Sequence, residues 1–476
     1  MADQPNARWV FGITAVALFM TALDSLVVVT ALPVIKGELG ASLSGLEWTV
    51  NAYTLPFALL LLPGAALADR YGRRRLFVLG LAAFTSGSAI AALSTSIDTL
   101  IAARAVQGAG GGVITPLTLT LLSAAVPPER RGLALGSWGA VSGLAIALGP
   151  LAGGAIVDGW SWQWIFWLNV PVGVVVVILT RAKIDESRGL TRPLDLPGLG
   201  LASIGLLGAV WALVHGNELG WGAPGVTTPL VFGVLLIAGF VFWEFRAPTP
   251  MIPVRFFSSR GFAAANVTSL LLFFGTFGSI FLLAQFLQLA RGYSALEAGL
   301  RTLPWTAMLL VVGPLAGFLS DHIGSRRLVV AGTTLMAVAL GWLAVISSPA
   351  VSYLGLAIPF SMAGVGMSLF FAPTANAALS AVLREEEGIA SGVLNTIRQV
   401  GAVLGVAVLA AVFSRSGSYA SPEHFVSGLS SAMWVGAAVV AMGVLSAWLI
   451  PASHTSSASP PLLTKSVHSK LEDARR

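Results

Sequence analysis

Long apolar segments make up most of this chain, and short polar segments separate them. Fourteen apolar segments are long enough for an α-helix to cross a bilayer, which takes about 20 residues. We predict spans at residues 9–32, 48–68, 76–94, 99–124, 133–157, 163–180, 197–215, 226–245, 262–289, 298–319, 328–347, 351–380, 389–414 and 428–450. The pattern therefore predicts an all-α polytopic membrane protein that crosses the membrane fourteen times.

The composition supports a membrane protein. Hydrophobic residues make up 56% of the 476 residues, and charged residues make up only 10%. A soluble domain has about 25% charged residues because its surface must be solvated. The chain has no cysteine, which excludes disulfides and cysteine-ligated metal or haem centres, and we predict no cofactor. No cleavable signal peptide is predicted, because the first apolar segment is long enough to span the membrane.

Basic residues are concentrated in alternate loops, where they determine the membrane topology. The net charge of +6 therefore does not indicate that the protein binds nucleic acid. In the loops on the opposite side of the membrane, the only basic residues are Lys36, Arg291 and Arg415. The positive-inside rule therefore predicts that both termini are cytoplasmic. We predict that the protein lies in the inner (plasma) membrane of the cell. The glycine-rich run Gly108–Gly112 lacks the Gly-Lys-Ser/Thr of a phosphate loop, so no nucleotide is predicted.

An internal repeat divides the chain, because residues 65–76 align with residues 317–328. Asp69 and Gly72 of the first copy recur as Asp321 and Gly324 of the second copy. The repeat predicts four regions, which are an N-terminal six-helix half, two inserted helices, a C-terminal six-helix half and a disordered cytoplasmic tail. Their limits are residues 1–190, 191–256, 257–450 and 451–476, respectively. Transporters with two such halves bind substrate between them, near the middle of the bilayer.

Asp24 is the only acidic residue deep within a predicted span. A charge at the centre of a bilayer costs about 2.5–3.5 kcal/mol on insertion scales, so such a residue usually faces a cavity and has a function. Thr14, Thr21 and Ser25 lie on the same face of the helix and form a polar stripe that we expect to point away from lipid. The alternative is a protonated acid that only forms a hydrogen bond with a neighbouring helix.

Arg104 is the predicted partner of Asp24, because the two residues lie at similar depths. The rise of an α-helix is 1.5 Å per residue, which places them within about 5 Å of each other along the membrane normal. The alternative is an arginine that extends towards the outer membrane surface. Gln107 and Gly108, one turn further on, would form part of the same wall.

Three further groups of residues have patterns that favour packing or binding. The fifth span contains the small residues Gly149, Gly153 and Gly154 with Pro150, which permit close helix contact and a kink. The thirteenth span contains a polar cluster that we expect to line a cavity, formed by Asn395, Arg398 and Gln399. The ninth span contains aromatic residues, including Phe273 and Phe277, that could form a binding wall or face lipid.

These motifs together resemble those of the major facilitator superfamily, and in particular its fourteen-helix drug/proton antiporter family. Leu23–Pro33, Arg104–Gly108, Gly149–Gly154 and Trp164–Pro171 are similar to motifs of the first, fourth, fifth and sixth helices of that family. Asp69–Arg75 is similar to the motif of the loop between the second and third helices. Three positions depart from the usual motifs, namely Ala65, Ala145 and Gln163.

The resemblance implies the major facilitator fold and a monomeric secondary transporter for multidrug efflux and antibiotic resistance. Such a protein exports lipophilic or cationic drugs in exchange for protons by alternating access. It implies proton coupling for Asp24 and Arg104 and an antiporter motif at Gly149–Gly154. It also implies a conformational latch formed by Asp69, Gly72, Arg73, Asp321 and Gly324.

Other functions remain open at the level of the sequence. The chain could be a dedicated proton-coupled exporter of an endogenous antibiotic, amino acid or siderophore, or it could be a channel. An intramembrane aspartyl protease is disfavoured, because that chemistry requires paired acids and only Asp24 lies deep in a span. The proton-coupling hypothesis would fail if the Asp24 side chain were sealed against neighbouring helices, with no aqueous route to either face of the membrane.

Overall fold

The structure is a computed structural model that describes residues 5–126, 131–189, 193–383 and 386–452. Within these residues, fourteen helices are long and apolar enough to span a membrane. The side chains of residues 131–140 and of Asp321 fall outside the described part. The predicted tail falls outside it from residue 453 onwards.

The helices of the first half and the inserted pair are numbered in chain order. They are α1 Pro5–Leu39, α2 Leu43–Tyr71, α3 Arg73–Ala92, α4 Ile97–Ala125, α5 Arg131–Gly159, α6 Trp164–Lys183, α7 Leu196–Leu219 and α8 Pro224–Glu244. The second half contains α9 Arg260–Ala290, α10 Ala295–Ile323, α11 Ser325–Ile346, α12 Tyr353–Leu379, α13 Glu387–Ser416 and α14 Pro422–Trp448. The last turn of α9, Phe286–Ala290, is a π-helix.

Several helices extend beyond the predicted spans, because hydropathy marks the bilayer core whereas a helix continues to its capping group. The first span was predicted to end at residue 32, but α1 continues through Pro33 to Leu39. Its final turn contains Glu38, whose Oε2 accepts a hydrogen bond of 2.7 Å from the indole nitrogen of Trp162. Ser42 begins α2 by accepting a hydrogen bond from the backbone nitrogen of Gly45.

The two six-helix halves have matching packing. In the first half α1 packs against α5, and α4 packs against α2 and α3. In the second half α9 packs against α13, and α12 packs against α10 and α11. The halves meet along two seams, α5 against α10 and α2 against α13. The predicted fold class, with two inserted helices between the halves, is therefore confirmed.

The inserted helices α7 and α8 pack against each other, and α7 also contacts α2 and α13. Asn217 of α7 donates a hydrogen bond of 2.5 Å to the carbonyl oxygen of Ala411 on α13. The pair therefore lies against the α2–α13 seam. The domain limits predicted from the repeat stay a prediction.

The bundle has two ends, which we name by the chain termini. The terminal face is the end at which α1 begins and α14 ends. The far face is the opposite end, where α1 is followed by α2 and α5 is followed by α6.

Glycines allow helices within each half to pack with their backbones in contact. A Cβ atom at Gly108 of α4 would lie 2.1 Å from the carbonyl oxygen of Tyr53 on α2. A Cβ atom at Gly405 of α13 would lie 2.1 Å from the carbonyl oxygen of Phe274 on α9. Helices in lipid associate through such close van der Waals packing, because burial from water contributes little between them.

We predict that Gly108→Ala destabilises the protein by roughly 1–3 kcal/mol, because the methyl group would force α2 and α4 apart. Thermal unfolding of the purified protein in lipid nanodiscs measures the effect. Gly12→Ala is the matched control, since a Cβ atom there has no neighbour within 4 Å. Equal unfolding temperatures for the two variants would contradict the prediction.

Candidate functional site

Asp24 and Arg104 form an ion pair inside the first half. A guanidinium nitrogen of Arg104 donates to Oδ2 of Asp24, and both side chains are only 1% exposed. The prediction that Asp24 on α1 and Arg104 on α4 lie at similar depths is therefore confirmed. Arg104 does not extend towards a membrane surface, because its guanidinium is turned into the bundle.

Two amides complete the coordination of the Asp24 carboxylate. Asn169 of α6 donates to Oδ1 at 2.9 Å, and Gln107 of α4 donates to the same atom at 3.3 Å. The side-chain oxygen of Gln107 accepts a hydrogen bond of 3.0 Å from Arg104. A carboxylate surrounded only by donors is arranged for its ionised form. In this conformation, the geometry does not match that of a protonated acid that donates to a neighbouring helix.

The second and third helices hold the cluster in place. The Nε atom of Arg104 donates to the backbone carbonyl of Thr49 on α2 at 3.3 Å. The Arg104 guanidinium lies 4.2 Å from the centre of the Tyr53 ring. Gln107 forms a further hydrogen bond of 2.7 Å with Ser88 of α3. Five helices therefore converge on one carboxylate, and a movement of any of them changes its surroundings.

Water does not reach the carboxylate in this conformation. When backbone and side chain are counted together, Asp24 is 3% exposed, Gln107 is fully buried and Asn169 is 7% exposed. The predicted polar stripe on α1 is also buried at Thr14 and Thr21. A proton can therefore reach or leave Asp24 only after the surrounding helices separate.

Sequence reasoning did not assign a role to Asn169. The residue belongs to the motif of the sixth helix, but nothing in its spacing indicated which residue it would contact. A strongly polar amide in an otherwise apolar span is the signal that could have identified it, because such a group needs a partner in the membrane.

The glycine motif of α5 lies where the two halves meet at the far face. Gly149 and Gly153 face α1, where Cβ atoms would lie 2.8 Å from the Leu26 side chain and 3.0 Å from the Val27 carbonyl oxygen. Gly154 faces α10, and its Cβ atom would lie 2.4 Å from the carbonyl oxygen of Ala295. The motif therefore permits α5 to contact both a helix of its own half and a helix of the other half.

Pro150 contributes to the same contact. A Cβ atom at Gly299 of α10 would lie 2.4 Å from the carbonyl oxygen of Pro150. Pro150 lies inside the continuous helix α5, where it removes one backbone hydrogen bond.

Asp158, at the end of α5, joins the halves by hydrogen bonds. Its two carboxylate oxygens accept from the backbone nitrogens of Ala295 and Leu296, at 3.1 and 2.8 Å. These nitrogens lie in the first turn of α10, where a negative charge is favourable. Gln288 of α9 also donates to the carbonyl oxygen of Thr30 on α1 at 2.8 Å. Asp158 lies directly after the predicted fifth span, residues 133–157, and the sequence analysis gave it no role.

The first-half residues of the predicted latch contact one another, and their role as a latch stays a prediction. Arg73 and Asp69 form an ion pair at 2.8 Å, and Gly72 between them has a φ of 115°. The backbone nitrogen of Arg73 donates to the carbonyl oxygen of Ser187 at 2.9 Å. The carboxylate of Glu186 accepts from the backbone nitrogen of Arg74 at 3.0 Å. The segment after α6 therefore holds the loop, and Glu186 is a participant that the sequence did not indicate.

The repeat of this motif in the second half has the same backbone form. Gly324 has a φ of 84°, as the turn between α10 and α11 requires. The backbone of Asp321 is helical, and its side chain lies outside the described residues.

The predicted cavity residues are divided between the two halves. Gln107 belongs to the Asp24 cluster of the first half, whereas the Arg398 guanidinium lies 5.6 Å from the centre of the Phe273 ring in the second half. Asn395 and Gln399 are half-buried on α13, whereas Arg398 is only 5% exposed. Phe273 is 4% exposed and stacks on Phe277 with ring centres 5.4 Å apart. Phe273 therefore belongs to the interior of the second half and does not face lipid.

The comparison with known families gives the same answer as the fold. A family model described as the Major Facilitator Superfamily matches residues 14–406 and 265–472. The chain belongs to this superfamily. It is therefore a multi-pass membrane transporter of small molecules and not an enzyme.

Curated relatives are resistance and export proteins. The chain is 36% identical to the multidrug resistance protein Stp of Mycobacterium tuberculosis over 403 residues, which is 84% of this chain and 75% of Stp. It is 37% identical to the cephamycin export protein CmcT of Amycolatopsis lactamdurans over 437 residues, which is 90% of this chain and 89% of CmcT.

A solved structure shares the fold. This is a bacterial homologue of the lysosomal transporter Spinster in an inward-facing, unoccupied conformation. The TM-score is 0.68 at 18% identity, over 94% of this chain and 98% of the other.

We predict that Asp158→Asn loosens the closed far face, because an amide is a weaker acceptor than a carboxylate and has no charge to favour the start of α10. The chain has no cysteine, so Ala298→Cys supplies a single reporter at a position on α10 that is 2% exposed. Adding Asp158→Asn should raise the rate of maleimide labelling at that cysteine about threefold or more.

Asp98→Asn is the control for this measurement, because Asp98 is an exposed acid in the first turn of α4 at the same face. It should leave the labelling rate unchanged. An unchanged rate with Asp158→Asn would show that these hydrogen bonds do not hold the face closed.

Proposed function

We propose that this transporter exports small lipophilic molecules in exchange for protons by alternating access. The observation that supports the proposal most directly is the buried pair of Asp24 and Arg104, with its amide donors from Gln107 and Asn169. An ionisable group inside a membrane protein marks a substrate, ion or proton pathway by default. The relatives that carry names of drug resistance and export support the direction of transport.

The pair can couple a proton to the movement of helices. Protonation of Asp24 removes the negative charge that holds Arg104, and a buried arginine without its partner is strongly destabilised. The protonated site therefore favours a conformation in which α1, α4 and α6 are rearranged. When Asp24 releases its proton, the ion pair forms again and favours the arrangement described here. One proton contributes about 1.4 kcal/mol per unit of pH difference across the membrane.

The burial of the Asp24 carboxylate supports the place of this conformation in the proposed cycle. Asp158 accepts hydrogen bonds from the first turn of α10, and Gln288 donates one to α1, so the far face is closed between the halves. The Asp24 carboxylate is surrounded by hydrogen-bond donors, as an ionised carboxylate requires. In the proposed cycle, this is a state that follows proton release. Proton uptake belongs to a state in which the far face has opened, as a transporter driven by external protons requires.

The proposed orientation follows from the loops. We propose that both termini are cytoplasmic, that the far face is external and that a monomer in the plasma membrane is the working unit. The distribution of basic loop residues supports this orientation.

The lipophilic part of the predicted substrate class has more support than the cationic part. Phe273 and Phe277 stack inside the second half, next to the polar residues of α13. A cationic substrate would need an acid, and the carboxylate of Asp24 is already paired with Arg104.

A dedicated exporter of one endogenous compound is the second candidate. Relatives that support it include CmcT and a tetracenomycin C resistance and export protein of Streptomyces glaucescens, which is 33% identical over 398 residues. Efflux of many unrelated dyes by an exporter-deficient host would favour broad specificity. Efflux of one compound class alone would favour the dedicated exporter.

We predict that Asp24→Asn abolishes proton coupling, because asparagine keeps the shape of the side chain and cannot change its charge. Inverted vesicles with an acidic interior should release protons when the wild-type protein takes up a lipophilic dye. The variant should show at least about a tenfold lower release, consistent with loss of a charged hydrogen-bonded partner. Dye-for-dye exchange, which moves no proton, should persist in Asp24→Asn.

Asp98→Asn serves as the matched carboxylate control, and it should release protons at the wild-type rate. Full dye-driven proton release by Asp24→Asn would mean that another group carries the proton.

We predict that Gly72→Ala slows transport by disturbing the loop between α2 and α3. The backbone there has a φ of 115°, and a Cβ atom would lie 2.7 Å from the Glu186 carboxylate, so the ion pair of Asp69 and Arg73 would shift. The strain is worth about 1–3 kcal/mol. The maximal rate of dye efflux should fall, and dye affinity at equilibrium should not change.

Gly40→Ala is the control, because Gly40 has a φ of 61° but open space around it. If both variants slow transport equally, backbone strain at any turn explains the effect and Glu186 has no part in it.

A further inference from the structure

The second half contains one charged residue in its membrane interior. Residues 261–290, 302–320, 328–383 and 388–414 include no Asp, Glu, Lys or Arg except Arg398. The first half differs, because there a buried acid and a buried arginine neutralise each other. Arg398 therefore leaves the interior of the second half with an unbalanced positive charge.

The Arg398 guanidinium is only partly satisfied by the protein. It is 5% exposed, and one terminal nitrogen donates to the carbonyl oxygen of Phe371 at 3.2 Å. Its Nε atom is buried and has no hydrogen-bond partner among the described residues. Arg104, which is buried to the same degree, donates to a carboxylate, an amide and a backbone carbonyl. Buried charges are normally paired, so we expect the partner of Arg398 to be a bound molecule and not part of the chain.

Three aromatic rings surround this cation. The centre of the Phe371 ring lies 4.6 Å from the guanidinium carbon, and those of Phe273 and Phe370 lie at 5.6 and 5.7 Å. The rings stabilise the charge through their faces. They provide no acceptor for the Nε atom, which has no hydrogen-bond partner among the described residues.

A ligand can approach this site along α13. Ser391, Asn395 and Gln399 follow one another at intervals of one turn, and all three are half-buried. Phe277 and Phe371 are half-buried as well, so the aromatic cluster has an accessible side. Polar side chains of partial exposure in the middle of a spanning helix are typical of a helix that lines a cavity.

We infer that Arg398 binds an anionic group of the substrate, such as a carboxylate, next to an aromatic ring system. This inference rests on the proposed function and names its substrate class. The guanidinium fork matches two carboxylate oxygens, and the phenylalanine rings provide flat apolar contacts for the rest of the molecule. The same unpaired positive charge repels a cationic drug.

The charge of the substrate changes what drives transport. Export of an anion and uptake of a proton both move positive charge towards the cytoplasm in the proposed orientation. A membrane potential that is negative inside therefore assists each cycle, in addition to the pH difference. Exchange of a proton for a monovalent cation would move no net charge.

The test compares two dyes that share the three-ring xanthene scaffold and differ in charge, namely anionic fluorescein and cationic rhodamine 123. Their binding to the protein in lipid nanodiscs is measured by fluorescence anisotropy, with empty nanodiscs as the control for partition into lipid. We expect fluorescein to bind more tightly than rhodamine 123. Arg398→Gln should weaken fluorescein binding at least about tenfold, because a charged hydrogen-bonded pair is lost.

Two further variants make the result specific. Arg398→Lys keeps the charge without the planar fork, so fluorescein should bind with an affinity between those of wild type and Arg398→Gln. Arg415→Gln is the matched control, because it removes an exposed arginine from the last turn of the same helix and should leave both dyes unaffected. Unfolding temperatures and gel-filtration profiles establish that each variant is folded.

The anion site is overturned by any of three results: no fluorescein binding to wild type, tighter binding of rhodamine 123, or equal fluorescein affinity of folded Arg398→Gln and wild type. The assay contains no proton gradient, so these results do not bear on proton coupling. Failure of proton coupling would appear in the Asp24→Asn vesicle measurement and would leave the dye affinities unchanged.

Discussion

The ion pair between Asp24 and Arg104 is the interaction on which the first half of the molecule depends. Two charges in a low-dielectric interior are stable only together, because removal of one leaves the other without solvation. The helices that supply the remaining donors must therefore stay in register around the pair. A group that determines helix positions through its charge can also change them when that charge changes, and this links one chemical event to a movement of many residues.

Close contacts at glycines occur both within the two halves and between them. Close backbone contacts at Gly108 and Gly405 fix pairs within each half, so each half can move as a unit. Between the halves, the far face is held by the glycine motif of α5 and by Asp158 at the start of α10. These contacts between the halves involve small residues and a few hydrogen bonds. Such contacts can break and form again at a low cost in free energy.

The sequence could predict features that depend on one helix or on a fixed helical rise. The number of spans, the burial of the Asp24 face and the depth of Arg104 all follow from hydropathy and from 1.5 Å per residue. The partners contributed by other helices could not be predicted in this way. Asn169 reaches Asp24, and Glu186 reaches the loop after α2, only because α6 packs across both α1 and α3. Distances across the bundle arise from tertiary packing, which a single sequence does not display.

The inserted helices make the two seams between the halves different from each other. The α2–α13 seam is covered by α7, which packs against both helices and is joined to α13 through Asn217, whereas α5 and α10 meet along a separate seam. Oily compounds concentrate in the bilayer and can enter a carrier sideways between two helices. Because α7 covers the α2–α13 seam, we expect a compound dissolved in the bilayer to reach the interface between the halves more readily at the α5–α10 seam.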